Sequence, residues 1–255
     1  MVQLGMAESR SLAQRMVMSG VVRADGEVVA KQSDQVPLDA QITIDSGLEF
    51  VSRGGLKLKE ALDTFRINVE GKVCADVGAS TGGFTDCLLQ RAATKVYAID
   101  VGYGILHWKL RNDPRVVVME RTNARYLDQL PEPVEIVTID ASFISLDYLF
   151  PAVKNWFGPA EGIIIALIKP QFEAGREQAK IHAGVIRDHK VHQQVLEKVA
   201  DDAAKVDLGL VNLTISPIKG PKGNIEFLGL FGNSQTIDHD KKQLLINDVI
   251  ARLGE

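Results

Sequence analysis

Two charged residues directly follow predicted strands in this chain of 255 residues, and the strand before Lys169 is apolar throughout. Asp140 comes after residues 134–139, and Lys169 comes after residues 163–168 and before Pro170. Charged residues seldom end a buried strand without a cause, and open α/β sheets bind ligands at the carboxyl ends of their strands. A lysine in this position is partly removed from water, which favours its neutral amine. The two residues indicate acid–base chemistry at a sheet edge, although Asp140 could simply cap the following helix.

A glycine-rich segment follows the predicted strand at residues 73–77. It reads Gly78-Ala79-Ser80-Thr81-Gly82-Gly83 and leads into a predicted helix. Such a turn lets a ligand approach the backbone at the start of a helix. The spacing differs from the dinucleotide fingerprint because Ser80 takes the place of its second glycine, and no Lys-Ser/Thr pair closes a P-loop. The alternative is that these glycines only form a tight turn between strand and helix.

Acidic residues near two strand ends narrow the class of ligand. Asp76 lies near the end of the first strand, and Asp100 closes the next predicted strand, where a carboxylate can bond both hydroxyls of a ribose. We therefore expect an adenosine cofactor, and S-adenosylmethionine fits better than NAD because no pyrophosphate-binding pattern is present. The predicted cofactor-binding residues are Asp76, Gly78, Ser80, Thr81, Gly82, Gly83, Asp100 and Asn123.

The elements that must position these residues alternate between helix and strand. Runs such as residues 163–168 are apolar throughout, which is typical of strands buried on both faces of a parallel sheet. The sequence thus predicts the α/β class, a Rossmann-like, doubly wound and mostly parallel sheet. The predicted strands are 73–77, 95–101, 116–120, 134–139, 163–168, 211–216 and 225–231. The predicted helices are 54–65, 83–91, 106–111, 146–157, 189–206 and 241–253, and a long loop is predicted at 171–187.

The first 46 residues have a different pattern. A helix is predicted at residues 8–19, a hairpin turning at Asp25-Gly26, and a third short strand at residues 41–44. So few residues cannot bury a secure core by themselves. We expect part of a small module or a flap on the larger domain.

Composition excludes several classes of protein. Hydrophobic residues make up 45% and charged residues 24%, and the formal net charge is −4. No apolar run approaches the roughly 20 residues of a membrane span, and the first residues do not have the pattern of a secretion signal. Cys74 and Cys87 are expected to be buried thiols. We expect a cytoplasmic protein without a membrane segment or a structural metal; His189 and His192 are interpreted as surface histidines.

Several long motifs resemble the TlyA family, which belongs with the wider FtsJ-like (RrmJ-type) methyltransferases. The motifs include Ser52-Arg53-Gly54-Gly55-Leu56-Lys57-Leu58, Asp100-Val101-Gly102-Tyr103-Gly104, Ser142-Phe143-Ile144-Ser145-Leu146 and Lys169-Pro170-Gln171-Phe172-Glu173. The N-terminal part resembles the second half of an S4 RNA-binding module. The resemblance implies a truncated S4-like segment at residues 1–46, a linker at 47–51 and a methyltransferase domain at 52–255.

The resemblance also implies an activity and its residues. The family comprises 2′-O-ribose methyltransferases acting on ribosomal RNA, with cytidine as the implied target, and its catalytic tetrad matches Lys57, Asp140, Lys169 and Glu226. Lys169 is expected to act as the base, Asp140 to orient it, and Lys57 and Glu226 to position the ribose and the amine. Expected partners are ribosomal RNA and ribosomal subunits, and the predicted RNA contacts are Arg10, Arg15, Arg23, Arg53 and Lys59.

Other interpretations remain open at the level of sequence. From spacing alone, Lys57 and Lys59 could lie on a solvated helix face, and Glu226 could pair with Lys219 or Lys222 at the surface. Two other functions are a membrane-active hemolysin, since the family often carries that label, and a catalytically idle RNA-binding assembly factor.

Overall fold

The computed structural model describes residues 1–7, 10–18, 22–29, 33–37, 39–44, 49–158, 162–175, 178, 181, 184–233 and 239–254. Over these ranges the chain divides into two compact units, Met1–Phe50 and Val51–Glu255. Each unit is described by itself below.

The N-terminal unit contains one helix and three short strands. Helix α1 spans Arg10–Met18, and strands β1 (Val22–Ala24), β2 (Glu27–Val28) and β3 (Ile42–Ile44) form an antiparallel sheet in the order β2-β1-β3. Asp25 and Gly26 have φ values of 50° and 85°, as a two-residue hairpin turn requires. The predicted hairpin is confirmed, while residues 8, 9 and 19 of the predicted helix lie outside the described residues.

The second unit is built on a seven-stranded sheet with the order β6-β5-β4-β7-β8-β10-β9. Neighbouring strands from β6 to β8 are parallel, whereas β10 is antiparallel to both β8 and β9. The predicted doubly wound, mostly parallel sheet is confirmed. Its strands are β4 (Val73–Val77), β5 (Lys95–Ile99), β6 (Val116–Met119), β7 (Ile136–Ile139), β8 (Ile163–Ile168), β9 (Leu208–Ile215) and β10 (Phe227–Asn233).

Helices pack on this sheet and bury its apolar side chains. The helices are α2 (Gly54–Phe65), α3 (Gly83–Gln90), α4 (Trp108–Arg111), α5 (Phe150–Lys154), α6 (Pro170–Glu173), α7 (His189–Ala204) and α8 (His239–Ala251). Strand residues such as Val77, Ile99 and Ile139 belong to one core cluster with side chains of α5, α7 and α8. Leu58 and Leu88, from α2 and α3, are also fully buried.

Several predicted bounds are wrong for identifiable reasons. The predicted helix at 146–157 is a 3₁₀ turn at Leu146–Tyr148 followed by α5, because Pro151 near the start of α5 cannot continue a helical hydrogen-bond ladder. The predicted loop at 171–187 begins with α6, which Pro170 initiates; residues 176–177, 179–180 and 182–183 of that loop lie outside the described residues. Strand β10 begins at Phe227, so Glu226 precedes it rather than interrupting it.

Among the described residues of the two units, no helix has the length and apolar character needed to cross a membrane. Cys74 and Cys87 are buried and form no disulfide. Burial raises the pKa of the Cys74 thiol to about 12, so this thiol is held in its inert, protonated form. His192 is buried rather than on the surface as predicted, and its Nε2 lies 3.1 Å from the Ile186 carbonyl oxygen.

Candidate functional site

The glycine-rich segment turns tightly between β4 and α3. Gly78 has φ +80°, and a Cβ atom there would lie 2.7 Å from the carbonyl oxygen of Asp140, so only glycine allows the ends of β4 and β7 to meet. Gly82 has φ +98° and faces Leu106 and Leu110. The segment thereby brings Asp140 directly beside the turn before α3.

Asp76 lies beneath this turn and is completely buried. Its Oδ2 accepts a hydrogen bond from Thr85 Oγ1 at 2.7 Å, and its Oδ1 accepts one from Thr138 Oγ1 at 3.0 Å. Burial raises the pKa of the Asp76 carboxyl to about 7, although the two threonine hydrogen bonds counteract part of the rise. Asp76 therefore ties β4, α3 and β7 together.

Asp100 fixes the segment that follows β5. Its Oδ2 accepts the Ser80 N–H at 2.8 Å, and its Oδ1 accepts the Gly102 N–H at 2.7 Å. Each carboxylate oxygen can accept a second hydrogen bond. The predicted ribose-binding carboxylate thus also joins the glycine turn to the next strand.

Two cavities open along the carboxyl edge of the sheet. The first, of about 710 Å³, is lined by residues that include Arg53, Lys57, Thr81 and Gly83, and the second, of about 450 Å³, by residues that include Asp100 and Asn123. Both are lined by Gly78, Ser80 and Asp140. One elongated ligand could therefore extend through both cavities.

The second cavity has the mixed walls that an adenosine group needs. Ile99, Val101 and Leu149 provide apolar surface, and Asp100 and Asn123 provide polar groups. Among the described residues, Asp76 and Gly82 line neither cavity. Of the eight predicted cofactor-binding residues, Asp76 is bonded to Thr85 and Thr138 and Gly82 faces Leu106 and Leu110, while the other six line the cavities.

The four predicted catalytic residues form two ion pairs. Lys169 Nζ lies 2.6 Å from Asp140 Oδ1, and it donates to the Ala141 carbonyl oxygen at 3.0 Å and to Ser142 Oγ at 2.9 Å. Three acceptors thus surround one amine whose side chain is only 9% exposed. Asp140 and Lys169 follow the adjacent parallel strands β7 and β8, which explains their proximity.

The second pair joins residues that are far apart in sequence. Lys57 Nζ on α2 lies 2.6 Å from Glu226 Oε2, and the Glu226 side chain is completely buried. Glu226 therefore pairs with Lys57 and not with Lys219 or Lys222 at the surface. Strands β8 and β10 pair Ile168 with Phe227, so Lys169 and Glu226 lie side by side at one sheet edge. The hydrogen bonds of the Lys169 amine, however, go to neither Lys57 nor Glu226.

The structure adds residues that the sequence analysis did not assign. Gln171 Nε2 donates to Glu226 Oε1 at 3.3 Å, while Gln171 Oε1 is buried without a hydrogen-bond partner among the described residues. Phe143 has φ +63°, is 90% exposed and contributes to the wall of the second cavity. Lys219 and Lys222 line the first cavity. Phe143 is marked out by an exposed ring at a positive φ, and neither feature can be read from the sequence.

The predicted RNA contacts are distributed over both units. Arg53 lines the first cavity, whereas Lys59 lines neither cavity. In the N-terminal unit, Arg10 is exposed and Arg23 Nη1 donates to the Gly26 carbonyl oxygen at 2.9 Å. The side chain of Arg15 lies outside the described residues.

The sheet order, with a reversed strand β10 between β8 and β9, and the glycine turn at the carboxyl edge define a Rossmann-like, S-adenosylmethionine-dependent methyltransferase. The FtsJ-like methyltransferase model matches residues 50–233, and the S4 domain model matches residues 1–42. The chain belongs to the FtsJ-like methyltransferase family, and the resemblance noted in the sequence is confirmed.

Similar proteins agree with this assignment. The 16S/23S rRNA (cytidine-2′-O)-methyltransferase TlyA of Mycobacterium tuberculosis is 43% identical over 231 residues, which cover 89% of this chain and 85% of the relative. Hemolysin A of Brachyspira hyodysenteriae is 42% identical over 233 residues, which cover 89% of this chain and 95% of the relative. A solved structure from Streptococcus thermophilus, described as a hemolysin, has 40% identity and a TM-score of 0.80, covering 98% of this chain and 91% of that chain.

Proposed function

We propose that this chain transfers the methyl group of S-adenosylmethionine to a ribose 2′-hydroxyl of ribosomal RNA, with cytidine as the target nucleotide. The observation that carries the proposal is the buried Lys169 amine, which is held by Asp140, a residue that lines both cavities, and by Ala141, which lines the second. The similarity to a cytidine-2′-O-methyltransferase supports the substrate, and the match to an S4 domain supports an RNA partner.

The chemistry of the cavities fits the proposed methyl donor. S-adenosylmethionine, when bound, supplies a methyl group that its sulfonium already activates. Asp100 and Asn123 would hold its adenosine end, with apolar contacts from Ile99 and Leu149. Ser80, Thr81 and Gly83 would hold its methionine end in the first cavity.

A ribose hydroxyl needs a base because it is protonated at neutral pH. We assign this role to Lys169: its ammonium would first release to solvent the proton that it donates to Ser142 Oγ, and the resulting neutral amine would accept the 2′-hydroxyl proton. Asp140, 2.6 Å away, would then stabilise the ammonium that results. Ser142 is exposed, whereas Ala141 and Asp140 are half-buried. The Ser142 hydroxyl is therefore the contact that the incoming ribose hydroxyl would replace.

Lys57 and Glu226 are assigned a different task. The Glu226 side chain is completely buried and bonds Lys57 Nζ at 2.6 Å, so it holds Lys57 in place in the wall of the first cavity. Lys57 lines the first cavity together with Arg53, Lys219 and Lys222. These four cations would hold the phosphates on either side of the target ribose.

The experiment is methyl transfer from labelled S-adenosylmethionine to purified 30S and 50S subunits that lack the modification. Digestion to nucleosides and mass spectrometry would identify the product. We expect 2′-O-methylcytidine. Cofactor binding without transfer to either subunit would favour a catalytically idle RNA-binding protein, and a base-methylated nucleoside would contradict the assigned chemistry.

A further inference from the structure

Besides Asp76 and Glu226, another buried carboxylate lies near the predicted catalytic residues without being one of them. Glu173, the last residue of α6, is 4% exposed. Its Oε1 accepts the Leu146 N–H at 2.8 Å, and its Oε2 accepts the Ser145 hydroxyl at 2.5 Å. Lys198 Nζ on α7 lies 3.5 Å from Oε2. Burial raises the pKa of the Glu173 carboxyl despite these hydrogen bonds. Burying this carboxyl therefore costs free energy of folding.

Glu173 is rigidly connected to Lys169 on one side. The Glu173 N–H donates to the Lys169 carbonyl oxygen at 3.1 Å, which closes the single turn of α6. The backbone of Glu173 is therefore fixed relative to the backbone of Lys169.

On its other side, Glu173 holds the segment of residues 141–146. That segment supplies the Ala141 carbonyl oxygen and the Ser142 hydroxyl, which lie 3.0 Å and 2.9 Å from Lys169 Nζ. It also carries Phe143, whose ring centre lies 5.0 Å from that of Phe172 on α6. The Lys169 backbone is thus bonded to Glu173, Glu173 is bonded to segment 141–146, and the segment is bonded to the Lys169 amine.

Building on the proposed function, we propose that Glu173 is a positioning residue for methyl transfer: it anchors segment 141–146 through Ser145 and Leu146 and so fixes the acceptors of the Lys169 amine. A buried carboxylate with a merely structural role would affect how much protein folds. A positioning residue affects the turnover of the molecules that have folded, because small displacements of a catalytic group reduce the rate strongly.

The test compares Glu173→Ala and Ser145→Ala with the parent chain, and Asp202→Asn serves as a matched control. Asp202 accepts from Lys198 at 2.7 Å, and Lys198 donates to Ser145 Oγ at 3.3 Å, so the control variant perturbs the same network while it leaves the hydrogen bonds from Glu173 to Ser145 and Leu146 in place. Three quantities are measured: hydrogen exchange of the amides in the segment, the number of S-adenosylmethionine sites per chain by calorimetry, and kcat and KM per competent site on ribosomal subunits.

We expect both test variants to bind S-adenosylmethionine with the stoichiometry of the parent, to exchange the segment amides faster, and to lose about tenfold or more in kcat per competent site. KM for the cofactor should stay within twofold. Because Ser145 and Glu173 share a hydrogen bond, their double variant should lose less than the two single losses combined. Asp202→Asn should match the parent in all three quantities.

Two results would overturn the proposal. One is segment exchange equal to that of the parent in both test variants; the other is faster exchange with kcat per competent site unchanged, which would make Glu173 purely structural. If the parent itself methylates neither subunit, the proposed function fails and the positioning role falls with it. That case is recognised because the parent is inactive, whereas failure of this proposal alone leaves the parent active.

Discussion

The Lys169 amine has three acceptors, and they differ in how firmly they are held. Asp140 and Ala141 follow directly from the end of β7, whereas Ser142 lies on the exposed side of the segment. An amine that must receive a substrate proton has to release one contact, and Ser142 is the one that can leave. The two polar neighbours should therefore differ in their importance for turnover.

Substitution of Asp140 and of Ser142 tests this difference. Asp140→Asn removes the charge that stabilises the Lys169 ammonium and should lower kcat by about 10²-fold or more. Ser142→Ala removes only the replaceable contact and should keep kcat within about tenfold of the parent. Single-turnover rates at saturating S-adenosylmethionine measure both. Equal losses in the two variants would contradict the assignment.

Phe143 follows Ser142 and offers an exposed ring in the wall of the second cavity. A phenylalanine at φ +63° has a strained backbone. Its ring is 90% exposed, so burial of the ring does not stabilise the fold. We expect Phe143→Ala to reduce methylation of the ribosomal subunit about tenfold or more by removing a stacking surface for a base, which is worth about 1–3 kcal/mol. Cofactor affinity and melting temperature should not fall.

Phe143→Trp is the matched control because it retains an aromatic face and should retain most of the activity. Loss of cofactor binding in Phe143→Ala, measured by calorimetry, would show instead that the ring belongs to the cofactor site.

At the scale of single residues, the sequence places Asp140 and Lys169 at the carboxyl edge of the sheet because each follows a predicted strand. Lys57 and Glu226 could be assigned only through the family resemblance, since Glu226 reaches this edge through the reversed strand β10 and Lys57 contacts it from helix α2. Gln171 and Phe143 could not be assigned, because the first depends on a tertiary contact with Glu226 and the second on a backbone angle.

At the scale of elements, the close approach of β4 and β7 determines the shape of the site. Gly78 has φ +80° and no room for a Cβ atom beside Asp140, whereas Gly71 has φ +74° and open space. The two glycines have similar backbone angles but different surroundings. Substituting each of them therefore distinguishes the effect of backbone strain from the effect of crowding at the site.

Gly78→Ala should displace Asp140 and abolish detectable methyl transfer, in addition to the backbone cost. Gly71→Ala should cost only about 1 kcal/mol of stability, the usual penalty for a side chain in the left-handed region, and should keep full activity. Urea unfolding and the methyl-transfer assay measure these effects. Full activity in Gly78→Ala would show that the contact between the ends of β4 and β7 is not required.

The alternation of elements was predictable because buried strands and amphipathic helices have distinct periods. The residues at which these elements begin and end were less predictable. Pro151 breaks the predicted helix at 146–157, and Pro170 starts a helix in a predicted loop, since proline is accepted in the first turn of a helix and excluded from its interior. The second of these differences matters for function, because α6 carries Glu173.

At the scale of the whole molecule, the net charge of −4 does not reveal that cationic side chains line the site. The wall of the first cavity brings Arg53, Lys57, Lys219 and Lys222 together from α2 and the residues around it and from the loop before β10. Composition sums charges over the whole surface, whereas RNA meets the local concentration of cations. A mildly acidic chain can therefore have a basic site.

The buried Asp76 should make stability depend on pH. Its pKa in the folded chain is about 7, above its value in an unfolded chain, near 4. The folded state thus retains a proton that the unfolded state releases. The contribution of this group to the free energy of unfolding is present below about pH 4 and is lost as the pH rises towards about 7.

Asp76→Asn should remove this pH dependence and be at least as stable as the parent at pH 8, because its amide can bond both threonine hydroxyls. Melting curves from pH 4 to pH 8 measure the difference, with Asp128→Asn as a control at an exposed carboxylate. A pH dependence of Asp76→Asn equal to that of the parent would show that this carboxyl is ionised in the folded chain.

The central claim is that Lys169 removes the proton of a ribose 2′-hydroxyl. The most direct measurement is single-turnover methylation of ribosomal subunits by the parent and by Lys169→Ala, with S-adenosylmethionine binding measured on the same samples and the product nucleoside identified by mass spectrometry. We predict 2′-O-methylcytidine in the parent, unchanged cofactor binding in the variant, and a rate lower by about 10²–10⁴-fold. A variant that forms the same nucleoside at the rate of the parent would contradict the account.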